Sequence, residues 1–144
     1  MQEEHRYHVV AWWTSGRTGI AKADSAPNAI HFTAPPEFGG LEGRWTPEDL
    51  LLCAVTFHTI ARYAKFEYTD LGVEAEAVVN RADSGYNFSE IVIRPQLTIS
   101  REQERERALE LLQKAKALCL VSRALAIAQK FETRVEVNKG SPVG

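Results

Sequence analysis

The stretch that most constrains the fold runs from Thr46 to Lys65 and reads TPEDLLLCAVTFHTIARYAK. Thr46 is a good helix N-cap, and Pro47 suits the first helical position, where its missing N–H costs nothing. The segment from Leu50 to Phe57 is apolar at every position except Thr56. A helix that is apolar on all sides is buried, so the sequence predicts a central helix around which the rest of the fold is wrapped.

Composition bounds the class of protein. The chain has 144 residues, of which 44% are hydrophobic and 25% charged, so we expect one globular domain over residues 1–144, with 139–144 as a loose tail. A net charge of −2 without a basic face argues against nucleic acid as a partner. The longest apolar run is too short to span a membrane, and MQEEHRYH is no secretory signal. Two cysteines then indicate reduced thiols in the cytoplasm.

The remaining pattern predicts an α+β fold with largely antiparallel sheets. Three strands precede the central helix, two strands forming a hairpin follow it, and one long or two shorter helices then lead to a closing strand. Pro95 is expected at an edge or bulge of the return strand, and Ser100 with Gln103 is expected to cap the second helix. The expected segments are 6–14, 20–23, 29–33, 46–65, 73–82, 91–99, 100–130 and 134–138.

Four motifs carry a resemblance to a known family. They are GRTG at 16–19, PEFGG at 36–40, WTPEDLL at 45–51 and CLVSRAL at 119–125, and they follow in order over nearly the whole chain. Together they resemble the OsmC/Ohr family, the osmotically inducible and organic hydroperoxide resistance proteins. The resemblance implies an OsmC-like, intertwined homodimer of α+β subunits with two active sites at the subunit interface.

The resemblance also implies a peroxiredoxin-like activity in defence against oxidative stress. In catalytic members a peroxidatic cysteine on the buried helix attacks an organic hydroperoxide. A resolving cysteine on the second helix closes a disulfide, and an external dithiol reduces it, with no cofactor. Arg17 matches the arginine and Glu48 the glutamate that activate the peroxidatic thiolate. Cys119 matches the resolving cysteine.

This chain departs from the family at the centre of the site. The peroxidatic cysteine of the family falls eleven residues after the helix-start proline, and that position is His58 here. Cys53 lies five residues earlier, about 140° around the helix axis from His58. Imidazole cannot replace the thiol, because peroxide reduction needs a sulfur that can become a sulfenic acid. The two-cysteine cycle of the family therefore does not carry over directly.

Three interpretations of the thiols follow. Cys119 alone could act as a one-cysteine peroxidase, with His58 lowering its pKa. Cys53 could have taken over the attack, which the helical angle argues against. Both thiols could instead be inert core residues. A depressed pKa of the Cys119 thiol would favour the first interpretation, whereas an inert buried thiol is shifted upward.

The other candidate residues also have structural readings. Arg17 could simply form an ion pair with Glu48, and His58 could be a core histidine. Cys119, His58 and Glu48 lack a recognised ligand spacing, so no metal site is expected. An apolar binding pocket is assigned to Phe38, Trp45, Cys53 and Phe57. Two functions remain: a thiol-dependent (organic hydro)peroxide reductase, or a non-catalytic protein that binds a small apolar ligand in the dimer-interface pocket.

Overall fold

The computed structural model describes residues 4–63, 70–117 and 120–138. The chain divides into two units, Met1–Leu51 and Leu52–Gly144, with helix α1 beginning in the first and continuing into the second. A short 3-10 helix, Pro36–Phe38, precedes α1, and another, Glu102–Glu104, precedes α2. The strands and helices are β1 (Val9–Ser15), β2 (Thr18–Ala23), β3 (Ala26–Thr33), α1 (Pro47–Tyr63), β4 (Asp70–Ala82), β5 (Gly85–Ile99), α2 (Arg105–Ala117), α3 (Leu120–Ala124), β6 (Gln129–Phe131) and β7 (Arg134–Val137).

The first unit contains an antiparallel sheet in the order β1-β2-β3. Trp13 pairs with Gly19 and Gly19 with Phe32, so the three share a face, and the Phe32 ring lies over Gly19. This face, which we call the apolar sheet face, consists of Val9, Ala11, Trp13, Gly19, Ala21, Ala23, Ile30 and Phe32. Trp13 is 76% exposed, and none of the described Val, Ile, Leu, Phe, Trp or Tyr residues of this unit is buried. The sheet therefore lacks a hydrophobic core of its own within the single chain.

The second unit has a mixed sheet with β5 at its centre. β4 pairs antiparallel with β5 along one side, and β6 and β7 pair parallel with it along the other. Ile91 and Ile93 of β5 pack with Val55 of α1 in one buried cluster. Further along β5, a second buried cluster contains Leu97, Ile99, Leu112 and Val135. From Ile91 to Ile99 the odd-numbered residues of β5 are thus all buried, and Val92 is buried as well.

Three local expectations were wrong. Pro95 lies fully buried in the central strand, where the ladder to β6 ends at Ile93 and that to β7 begins at Gln96, so no parallel partner needs its missing N–H. Ser100 and Gln103 do not form the expected cap: the 3-10 helix that leads into α2 has Arg101 at its N-cap position, without a side-chain hydrogen bond there. Helix was predicted as far as residue 130, but the last helix ends at Ala124 and Gln129–Phe131 is a strand. Pairing with β5 overrides the weak local preference of this segment.

The start of the central helix was predicted correctly. The backbone N–H of Asp49 donates to the Thr46 hydroxyl at 3.1 Å, and the N–H of Thr46 donates to Asp49 Oδ2 at 3.2 Å. This reciprocal pair satisfies two backbone donors at the helix entrance. Farther along α1, Val55 and Thr59 are buried, whereas Phe57 is 65% exposed. No helix in the described part of the chain is long and apolar enough to cross a membrane.

Replacing Thr46 by alanine is expected to lower the free energy of unfolding by about 1 kcal/mol, because the Asp49 N–H loses its acceptor. Thr46→Ser keeps the hydroxyl and should stay close to wild type. Urea unfolding monitored by far-UV circular dichroism measures both variants. Equal destabilisation by serine and alanine would show that the Thr46 methyl group, and not the cap, is what matters.

Candidate functional site

Arg17 occupies the turn between β1 and β2 and is tied to the loop that follows β3. Its carbonyl oxygen accepts the N–H of Ala34 at 3.0 Å. Its side chain lies over Gly39, because a Cβ built on that glycine would sit 3.3 Å from Arg17 Nε. Gly39 also has a φ of +86°, which favours glycine. The guanidinium is thus placed beside the loop containing Phe38, which is half-buried, and Arg17 as a whole is exposed.

A set of hydrogen bonds closes the same loop. The Thr33 hydroxyl accepts the N–H of Leu41 at 2.8 Å and donates to the Ala34 carbonyl at 2.9 Å. The N–H of Gly40 donates to the Pro35 carbonyl at 3.1 Å. Sequence reasoning did not identify Thr33 or Gly40 as positioning residues. The adjacent glycines of the PEFGG motif were the only available signal.

The entrance of α1 holds Trp45 and Glu48. Trp45 is half-exposed, and its carbonyl accepts the N–H of Thr33 at 2.9 Å. Glu48 is half-buried, and its Oε2 is a buried atom with no hydrogen-bond partner among the described residues. No ion pair within 4 Å joins Arg17 to Glu48 in the described chain, so the alternative in which these two side chains form a simple ion pair is not observed. A buried oxygen left without a donor destabilises the folded state, which calls for a functional explanation.

The remaining candidates lie farther along the chain. Cys53 is half-buried with a free thiol, and its carbonyl accepts the Thr56 hydroxyl at 3.0 Å. His58 is half-buried on α1, and Phe57 beside it is largely exposed. Cys119 lies outside the described residues, so its proximity to His58 stays a prediction. The structure therefore brings Arg17 to the Phe38 loop and leaves the thiol chemistry untested.

Comparison with known proteins decides the family. A family model described as OsmC-like protein matches residues 40–134, about two thirds of the chain. The chain belongs to the OsmC-like family. That match covers Trp45, just before α1, and the four described site residues of α1 itself, Glu48, Cys53, Phe57 and His58. A comparison with curated proteins finds no match.

Solved structures of OsmC-like proteins share the fold. An OsmC-like protein of unknown function from Vibrio cholerae superposes with a TM-score of 0.77 at 14% identity, covering 90% of this chain and 99% of that one. An organic hydroperoxide resistance protein from Elizabethkingia anophelis gives 0.72 at 20%, covering 96% and 100%. One from Legionella pneumophila gives 0.71 at 19%, covering 94% and 100%. At these identities the likeness establishes the α+β OsmC-like fold alone.

Proposed function

We propose that this OsmC-like protein reduces organic hydroperoxides in the cytoplasm with Cys119 as its reactive sulfur. Residues 1–144 act as one domain of a homodimer. The observation that carries the proposal is the buried Oε2 of Glu48, which has no hydrogen-bond partner among the described residues. A carboxylate kept there at a cost in stability is typical of a site built for activity. The resemblance assigns the same position to activation of a thiolate.

The chemistry needs only the residues of the site and an external dithiol. The Cys119 thiolate attacks the outer oxygen of ROOH, the O–O bond breaks, and the sulfur becomes a sulfenic acid. The leaving alkoxide takes a proton from the His58 imidazolium and departs as ROH. One thiol of the dithiol condenses with the sulfenic acid and releases water. The second thiol gives its proton back to His58 and its sulfur displaces Cys119, leaving an oxidised reductant and the regenerated thiolate.

Arg17 and Glu48 serve as the polar clamp of this site. An arginine guanidinium favours the thiolate over the thiol, since an opposite charge nearby lowers a thiol pKa. Arg17 is exposed in the single chain and is held by its backbone at Ala34, so its long side chain can reorient without disturbing the hairpin. Glu48 would orient that guanidinium by accepting its hydrogen bonds at the oxygen left unpartnered here.

The dimer is supported by the apolar sheet face. Trp13 lies on the edge strand β1, at the turn end of that face, and is 76% exposed in the single chain. Contiguous exposed apolar surface on a small protein is typical of an interaction site. A second copy of the chain is the partner that the family resemblance implies, and burying this face in the dimer would give the first unit the core it lacks.

A second candidate function rests on His58 itself. The position that bears the peroxidatic cysteine in the family cannot form a sulfenic acid here. Two aromatic residues are exposed here: Phe57, which lies on α1, and Trp45, which lies just before α1 begins. They would line a pocket for a small apolar ligand together with Phe38 and Cys53. In this case the protein binds its ligand without turnover.

A peroxide-consumption assay distinguishes the two functions. Purified protein is mixed with an organic hydroperoxide and a dithiol. We expect wild type to turn over, Cys119→Ser to fall to background, and Cys53→Ser to stay within about twofold of wild type. Removing the proton donor in His58→Ala should slow turnover by about 100-fold or more.

The same assay can overturn the proposal. If turnover is lost in Cys53→Ser and kept in Cys119→Ser, the reactive sulfur is Cys53, and the assignment to Cys119 is wrong. An inactive wild type combined with an active His58→Cys variant would identify a family scaffold that no longer performs the reaction. Binding of apolar ligands to the wild type would then support the second candidate function.

A further inference from the structure

A polar cleft lies on the second sheet. Its volume is about 650 Å³, within the usual range for sites that bind small molecules. Side chains alternate along β5, so Arg94 and Gln96 lie on the face opposite the buried Ile93 and Leu97. All residues of the cleft belong to the second unit. The lining residues used below are Gly72, Glu74, Arg94, Gln96, Thr133 and Arg134.

A missing side chain opens the floor of this cleft. Gly72 pairs with Gln96, and Gln96 pairs with Arg134, so the three form one row across β4, β5 and β7. A Cβ built at Gly72 would meet no atom within 4 Å. The space above Gly72 is therefore open, with Glu74 next along β4 on the same face.

Arg94 forms one wall and is engaged by carboxylates on three sides. Its guanidinium hydrogen-bonds Glu74 and Glu76 at 3.2 Å each, and its Nε lies 3.7 Å from Glu132. The side-chain hydrogen bond to Glu76 is the main cause that raises the pKa of Arg94 above its ordinary value. Three carboxylates thus hold Arg94 in place, and it is a structural part of the cleft.

Other groups of the cleft keep capacity for a ligand. Glu74 uses only Oε1 in its contact with Arg94, and its side chain is mostly exposed. The nearest carboxylate to Arg134 in the described chain is that of Glu136, at 3.9 Å. The Gln96 amide and the Thr133 hydroxyl make no hydrogen bond to any described residue. A carboxylate acceptor therefore lies on β4 and a guanidinium donor on β7, with polar groups between.

The spacing of these charges selects the ligand. Glu74 pairs with Arg94 and Arg134 pairs with Gln96, so their backbones are two strands apart across the sheet and two residues apart along it, about 12 Å in all. An extended chain of three residues spans about 10 Å. A free amino acid holds its two charges much closer together than these two backbones are, and a simple anion leaves Glu74 unused.

We propose that this cleft binds a short zwitterionic peptide of about three residues. Its carboxylate pairs with the fork of Arg134, and its ammonium group pairs with Glu74. The Gln96 amide and the Thr133 hydroxyl bond the peptide groups between the two ends. The two arginines and the two glutamates of the lining cancel in charge, which suits a ligand that is neutral overall but charged at both ends.

Titration calorimetry with triglycine tests the proposal on the full chain. We expect a dissociation constant of about a millimolar, the affinity typical of so small a ligand. Glycine, N-acetyl-triglycine and triglycinamide should each bind at least about tenfold more weakly, since each loses one anchor or the span between them. Equal binding of N-acetyl-triglycine would reduce the site to an anion site and overturn the peptide assignment.

Two variants and a control locate the binding. Gly72→Val fills the floor of the cleft, and Arg134→Gln removes the carboxylate anchor, so each should weaken triglycine binding at least about tenfold. Arg107→Gln makes the same charge change on an exposed part of α2 and should bind as wild type does. Wild type that fails to bind, or Arg134→Gln that binds equally well, refutes the proposal whether or not Gly72→Val folds.

Discussion

Replacing Gly40 by alanine is expected to lower the free energy of unfolding of the first unit by about 3 kcal/mol or more. A Cβ at Gly40 would lie 1.6 Å from the Ala34 carbonyl oxygen and 2.6 Å from Thr33 Oγ1. Neither atom can move away from the new Cβ without breaking the hydrogen bond that the Thr33 hydroxyl donates to the Ala34 carbonyl in the closed loop. The loop must open, which would also release the contact between Arg17 and Gly39.

Tryptophan fluorescence during urea unfolding measures this change selectively. The three tryptophans of the chain all lie at or before Trp45, within the first unit. Gly43→Ala is the matched control in the same loop: its φ of +82° strains alanine, but a Cβ there meets no atom within 4 Å. We expect that strain to cost about 1–2 kcal/mol. If Gly43→Ala were as costly as Gly40→Ala, the steric explanation would fail.

Replacing Trp13 by glutamate is expected to dissociate the proposed dimer. The substitution puts a charge on the apolar sheet face, where a partner would have to bury it without compensation. A penalty on the order of 3 kcal/mol corresponds to about a hundredfold weaker association. Light scattering coupled to size-exclusion chromatography measures the mass, and the concentration dependence of Tm reports the linkage between folding and association.

Trp12→Glu provides the control for this prediction. Trp12 precedes Trp13 on β1 but points to the opposite face, where it pairs with Ile20. This variant should remain a dimer whose Tm still rises with protein concentration. A monomeric wild type, or equal dissociation by both variants, would show that the apolar sheet face is not the interface.

The sequence predicted those parts of the fold that depend on local chemistry. The cap at Thr46, the turn after Ser15 and the hairpin of β4 and β5 are each specified by neighbouring residues, and the structure contains all three. Strand β6 could not be predicted, because QKF has little strand preference and becomes a strand only beside Ile91–Ile93. Pro95 was assigned to an edge or a bulge, because the sequence does not show that β6 ends before it and β7 begins after it.

The site was less predictable than the fold. The family resemblance identified Arg17 and Glu48, and an ion pair between them, which was one interpretation of the two residues, is absent from the described structure. Pairing requires a particular distance between two long side chains, which no sequence pattern encodes. The polar cleft was also missed, because Gly72 and Arg134 are 62 residues apart and only the register of the sheet brings them into one row.

The central position of β5 has a consequence for the order of folding. β4 and β5 are joined by a tight turn and can pair within microseconds, whereas β7 must return across more than thirty residues to reach β5. During synthesis, this edge of β5 therefore stays open until β6 and β7 have emerged from the ribosome. Pulse-labelled hydrogen exchange should show amides between β4 and β5 protected before those of β7. The C-terminal strand thus completes the sheet and sets the time at which its edge is no longer available for aggregation.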